Sequence, residues 1–132
     1  MSLLVDTSVW SLALRKGGPA QHPAVESLSR ALDDNDDIVV LGVILQEVLQ
    51  AFRHPATAAR VARYFEPFPI LILRRRDYVD AARLHRRCAA KGISASTIDC
   101  QIAAASIASE SALLTADRDF ERIAKLAPLK LA

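Results

Sequence analysis

The stretch Leu3-Leu4-Val5-Asp6 places three consecutive apolar residues directly before an acid. A strand that is covered on both faces needs no alternation of apolar and polar residues, so this run predicts a buried β-strand. Three further apolar runs predict strands of the same kind: Ile38–Leu41, Ile70–Leu73 and Ala112–Thr115. A last short strand is expected at Leu129–Leu131.

Helical patterns occupy the segments between these strands. Seven helices are expected, at Ser8–Leu14, Pro23–Leu32, Val43–Arg53, Ala56–Phe65, Asp77–Ala90, Ile98–Ser109 and Asp119–Leu126. Parallel strands need long crossover connections that are usually helical, so the alternation of strands with helices predicts an α/β fold with a parallel sheet.

Length and composition favour one globular domain over residues 1–132, because 52% of the residues are hydrophobic and 24% are charged. No apolar run approaches the ~18 residues that cross a bilayer. The first residues, Met1 to Asp6, lack the basic segment of a signal peptide, so a cytoplasmic location is expected.

The net charge of +2 is unevenly distributed along the chain. Residues 53–91 contain ten basic and three acidic side chains, whereas both flanking segments are acidic. A basic stretch of this kind is either the contact surface for a polyanion such as a nucleic acid or a set of solvated helix faces.

Acidic residues follow the predicted strands. Asp6 ends the first strand, Glu47 lies in the helix after the second, and Asp117 follows the Ala112–Thr115 strand. Asp99 lies in the first turn of the Ile98–Ser109 helix. Taken singly, an Asp at a helix N-terminus is explained by capping. Ligands of parallel sheets bind at the carboxyl ends of the strands, however, and four segments would bring carboxylates to that one edge.

Crowded carboxylates repel each other unless a cation is present. Oxygen ligands favour Mg²⁺ or Mn²⁺, and such ions support phosphodiester hydrolysis by lowering the pKa of a water molecule. No sequence motif of a serine hydrolase, zinc protease, P-loop or dinucleotide-binding protein is present. A phosphatase with Asp6 as its nucleophile requires a second Asp two residues later, but this chain has Ser8 at that position.

Four motifs follow one another along the chain: Leu4–Trp10, Glu47 in the helix after the second strand, Ile98–Ala104 and Leu114–Phe120. In this order and spacing they resemble those of the PIN-domain nucleases, and more narrowly those of the VapC-type toxin ribonucleases of type II toxin–antitoxin modules. The resemblance extends from Leu3 to about Leu131. It implies a three-layer α/β/α sandwich with a central parallel sheet of four to five strands, and a metal-dependent endoribonuclease.

Matching the motifs residue by residue implies that the catalytic acids are Asp6, Glu47, Asp99 and Asp117. The implied ligands of Mg²⁺ or Mn²⁺ are Asp6, Asp99 and Asp117. Ser8 and Asp119 are secondary candidates, and the spacing does not decide whether Asp117 or Asp119 is closer to the metal.

The resemblance also implies partners: an RNA substrate, a small antitoxin protein that covers the site, and a second copy of the chain in a homodimer. Within the basic stretch, Arg75, Arg76 and Arg83 are expected to contact the RNA backbone beside the acids. The alternative is a catalytically inactive PIN-like module that binds RNA or protein.

Overall fold

The computed structural model describes residues 1–132 and contains four strands and seven helices. The strands are β1 (Leu3–Val5), β2 (Ile38–Leu41), β3 (Ile70–Leu71) and β4 (Ala112–Leu114). The helices are α1 (Thr7–Ala13), α2 (Pro23–Asp33), α3 (Gly42–Gln50), α4 (Pro55–Phe65), α5 (Arg75–Ala90), α6 (Thr97–Ala108) and α7 (Asp119–Ile123). The predicted order of elements is confirmed, and none of the helices combines the length and hydropathy needed to cross a membrane.

All strand pairs are parallel, and the sheet has the order β3-β2-β1-β4. The chain moves from β1 to β2 to β3 in one direction across the sheet. It then returns past β2 and β1 to form β4 on the other side of β1. Since crossovers between parallel strands are right-handed, this reversal moves the connecting helices to the opposite face of the sheet. Accordingly, α1 to α4 pack among themselves, as do α5 to α7. The predicted α/β/α sandwich with a parallel sheet is confirmed.

The prediction for the third strand is wrong in its length and its burial. Only Ile70 and Leu71 pair with β2, and β3 lies at the edge of the sheet. Ile70 is 51% exposed and Ile72 is 82% exposed. An apolar run has the same pattern at an edge as in the centre, so burial on both faces depends on neighbours that the run itself does not specify. The expected strand at Leu129–Leu131 is reduced to a single bridge between Leu131 and Leu113.

The core lies between the sheet and the two helical layers. Leu4 of β1, Ile44 of α3 and Ile123 of α7 are completely buried, so both faces of the sheet are covered. Trp10 is 1% exposed and packs against the rings of Phe65 and Phe68. It therefore belongs to the core.

The strand order also creates a crevice at the carboxyl ends of β1 and β4. These neighbours are followed by helices of different layers, since α1 follows β1 and α7 follows β4. Parallel sheets bind their ligands at such a switch point, where the connections leave toward opposite faces.

Candidate active site

Asp6 comes directly after β1 and lies in the crevice. Its side chain is only 6% exposed, although it carries a carboxyl group. The Oδ2 atom accepts hydrogen bonds from the hydroxyl groups of Ser8, at 2.7 Å, and Thr115, at 2.8 Å. These bonds offset part of the cost of burying a carboxylate. They also fix the orientation of Asp6, which forms no ion pair.

Thr115 joins the two sides of the crevice. Besides donating to Asp6, its hydroxyl oxygen accepts a hydrogen bond of 3.0 Å from the backbone N–H of Asp117. Thr115 lies within the Leu114–Phe120 motif, but no role was predicted for it from the sequence. The available signal was its place directly after the apolar run of β4, but its role depends on β4 lying beside β1.

Asp99 enters the site from the N-terminus of α6. A capping box holds this end of the helix: the backbone N–H of Asp99 donates to Ser96 Oγ, and the backbone N–H of Ser96 donates to Asp99 Oδ2. Burial raises the pKa of the Asp99 carboxyl group above its usual value, and the charges of Asp117 and Asp6 raise it further, whereas the hydrogen bonds with Ser96 lower it. Asp6, Asp99 and Asp117 are therefore close enough to interact electrostatically.

Glu47, on α3, is connected to this cluster through a neighbouring hydroxyl group. Thr7 follows Asp6 in the chain, and its Oγ1 donates a hydrogen bond of 2.8 Å to Glu47 Oε1. Glu47 thus reaches the cluster through Thr7, the neighbour of Asp6, and forms no hydrogen bond with the other acids.

Asp117 and Asp119, between which the sequence spacing did not decide, make different contacts in the structure. Asp117 interacts with Asp99, as its effect on the pKa shows. The Asp119 carboxyl group instead lies 3.9 Å from the guanidinium group of Arg122, and the Asp119 backbone N–H donates to Asp117 Oδ1 at 2.9 Å. Asp117 is the member of the cluster, and Asp119 holds it in place.

Ser8 uses its hydroxyl group entirely within the protein. Its O–H group donates to Asp6 Oδ2, and its oxygen accepts a hydrogen bond of 3.0 Å from the backbone N–H of Ala116. It therefore ties the start of α1 to the segment after β4, which positions Asp6 next to Asp117.

The arginines predicted to lie beside the acids are distributed along α5. The first turn of α5 lines a groove together with the last turn of α6, and the two packed helices are joined by residues 91–96 alone, so they run antiparallel. The Arg76 end of α5 is therefore next to Ser109, ten residues or about 15 Å along the axis from Asp99. The structure does not bring Arg75 or Arg76 next to the acids, and Arg83 lies two turns further along α5.

The acids share a feature that fits a divalent cation. In each acid, one carboxylate oxygen accepts hydrogen bonds within the protein and the other accepts none. This holds for Asp6, Glu47, Asp99 and Asp117. None of them is paired with a basic side chain. No three potential ligands are close enough to hold one ion directly. Mg²⁺ usually takes only one or two protein carboxylates and keeps several waters, so the unused oxygens suit a hydrated ion.

The chain belongs to the PIN domain family, because the family model described as PIN domain matches residues 3–126. The family resemblance of the four motifs is thus confirmed.

Three solved structures illustrate the likeness in fold. VapBC2 from Rickettsia felis, bound to a promoter DNA fragment, matches with a TM-score of 0.79 at 18% identity, covering 100% of this chain and 98% of that chain. DNA-bound VapBC from Salmonella typhimurium matches with a TM-score of 0.75 at 15% identity, covering 100% and 97%. VapC20 from Mycobacterium tuberculosis, described as a toxin that cleaves the sarcin–ricin loop, matches with a TM-score of 0.67 at 16% identity, covering 91% and 93%.

Proposed function

We propose that residues 1–132 form one nuclease domain, which hydrolyses RNA phosphodiester bonds in the cytoplasm with Mg²⁺ or Mn²⁺ and acts as the toxin of a toxin–antitoxin module. One observation carries the proposal: Asp6, Asp99 and Asp117 come from three separate segments, burial raises the pKa of Asp99 and the charges of Asp117 and Asp6 raise it further, yet no basic side chain pairs with them. Membership of the PIN domain family supports a nuclease.

The residues take distinct roles in this proposal. Asp6, Asp99 and Asp117 would hold a hydrated cation at their unused oxygens, one or two of them directly and the rest through its waters, and Glu47 is the fourth acid of the site. When bound, the cation neutralises charge on the scissile phosphate and makes water a stronger acid. Ser8 and Thr115 are positioning residues, since both hydroxyl groups donate to Asp6 Oδ2 and leave Oδ1 for the ligand.

The proposed partners are a small antitoxin and a second copy of the chain. The likeness to VapBC complexes supports the antitoxin. Unpaired carboxylates would attract a basic side chain of such a protein when no metal is bound. Apolar side chains that remain exposed on β3 and α5, Ile70 and Val79 among them, support the homodimer.

The first experiment is to incubate the purified chain, free of any bound protein, with total cellular RNA in Mg²⁺, in Mn²⁺ and in EDTA. Discrete fragments are expected only with a metal. Asp6→Asn is nearly isosteric and removes one charge, so the fold should persist while cleavage falls by at least about a hundredfold, given that losing an indirect metal contact alone costs ~10 to 100-fold.

The matched control is Asp36→Asn, which makes the same chemical change in an exposed turn before β2. It should cleave RNA like the unchanged chain. Intact RNA under both cations, with a native circular dichroism spectrum, would reject the nuclease and favour the inactive binding module. Equal loss in both variants would reject the assignment of Asp6.

A further inference from the structure

A groove of about 860 Å³ lies between α5 and α6, away from the crevice that contains the acids. Its floor is formed by small and aliphatic side chains of α6 and α5, such as Ala104, Ala108 and Leu84. Residues 71–74, from the last residue of β3 to the start of α5, form one of its walls. The groove contains no aromatic residue, and none of the proposed catalytic acids lines it.

Four arginines and two aspartates line the groove, so its formal charge is +2. Both aspartates are already engaged within the protein. Asp80 pairs with Arg76 and Arg83, and Asp77 accepts a hydrogen bond of 2.8 Å from the backbone N–H of Arg74 at the start of α5. The guanidinium groups of the two remaining arginines, Arg74 and Arg87, form no ion pair. The groove therefore offers the unpaired guanidinium groups of Arg74 and Arg87 to an anion.

The groove extends away from the acids along α6. It begins at Ala104 and reaches Ser109, which are five and ten residues from Asp99, or about 8 and 15 Å along the helix axis. A polymer with a phosphate at the acids is long enough to reach this groove with its flanking nucleotides.

We propose that the groove binds a flanking segment of the RNA substrate, with Arg74, Arg76, Arg83 and Arg87 on its phosphates; this inference rests on the proposed nuclease function. Arginine suits the contact because its planar fork binds phosphate oxygens in pairs and its guanidinium plane stacks on bases. Riboses and bases pack on the aliphatic floor. RNA is favoured over an acidic protein because the proposed reaction already places this polyanion within reach.

The sharpest test compares two neighbouring arginines of α5. Arg87 lines the groove, whereas Arg86 does not, because adjacent residues of a helix point about 100° apart. Both side chains are exposed and neither forms an ion pair, so Arg87→Glu and Arg86→Glu make the same charge change at the same height on the helix.

Binding is measured by fluorescence anisotropy in the non-cleaving Asp6→Asn chain, with labelled RNAs of about 20 and about 4 nucleotides. Arg87→Glu should weaken binding of the longer RNA about tenfold more than binding of the shorter one. It should also reduce the magnitude of the slope of log K against log salt concentration by about 0.7, because one phosphate contact is lost. Arg86→Glu should stay within about twofold of its parent for both RNAs.

Three results would overturn the proposal. The first is that Arg87→Glu and Arg86→Glu weaken RNA binding equally, which indicates a diffuse basic field. The second is that Arg87→Glu weakens binding of both RNA lengths equally, and the third is that it does not weaken RNA binding at all. A peptide of Leu and Glu residues is tested in the same way. If Arg87→Glu abolishes binding of this peptide but keeps RNA binding, the groove is assigned to a protein partner instead. Cleavage of the short RNA by the unchanged chain in Mg²⁺ is scored separately, so failure of the nuclease and failure of the groove are distinguishable.

Discussion

Asp99 shows how a single residue combines a structural and a chemical property. Its carboxyl group completes the capping box of α6, yet burial and the charges of Asp117 and Asp6 raise its pKa above the ordinary value of 3.8. The native state therefore holds this proton more tightly than the unfolded state does. Without a metal, ionisation of Asp99 therefore lowers the free energy of unfolding. This loss of stability is absent at a pH below the pKa of Asp99 in the unfolded chain, and it is complete at a pH above the pKa of Asp99 in the native state.

Asp99→Asn removes this loss of stability and keeps an acceptor oxygen for the Ser96 N–H group. In EDTA, we expect the urea midpoint of the variant to exceed that of the unchanged chain at about pH 7, with the gain shrinking as the pH falls toward about 4. Asp36→Asn, in its exposed turn, should show no such pH-dependent gain. A constant difference across this pH range would contradict the assignment to Asp99.

The helix α6 extends from the edge of the sheet that carries the acids to the groove, and its small side chains explain how it packs there. Ala103, Ala104 and Ala105 are each at most 6% exposed, and the helix packs against α5, α7 and β4. Small side chains let these elements approach α6 closely, so the position of Asp99 depends on tight packing several residues away.

Ala103→Leu tests this packing, since Ala103 is completely buried. Three additional carbon atoms at that position should lower the free energy of unfolding by about 1–3 kcal/mol, measured by urea denaturation. Ala108→Leu is the control on the same helix, because Ala108 is exposed and should tolerate the change. Equal stability of both variants would show that α6 is packed loosely.

At the scale of the whole molecule, the sheet order assembles the site from distant segments. Thr115 and Asp6 are 109 residues apart in the chain but share a hydrogen bond, because β4 pairs directly with β1. In the unfolded chain these groups are far apart, so a cation that binds the acids binds the native state alone and stabilises it.

We therefore expect Mg²⁺ to raise the Tm relative to Na⁺ at the same ionic strength. At a hundredfold excess over the Kd, the gain is ~2.7 kcal/mol, or ~10 °C for a chain of this length. Differential scanning calorimetry should show this gain in the unchanged chain and its loss in Asp6→Asn and Asp99→Asn. An equal rise in all three proteins would place the ion elsewhere.

Local patterns in the sequence determined the type and order of the main strands and helices, the parallel sheet and the acids at the ends of its strands. Apolar runs, helical periodicity and capping residues act over a few neighbouring positions, so they are visible in the chain itself. The four motifs also placed the protein in the PIN domain family.

Only the tertiary structure decided which of these segments become neighbours. The order β3-β2-β1-β4 left β3 exposed at an edge, brought Thr115 to Asp6, and placed Asp117 rather than Asp119 beside Asp99. It also separated the Arg76 end of α5 from the acids and formed the groove with α6. These outcomes depend on contacts between segments far apart in the chain, and such contacts leave no local pattern in the residues that make them.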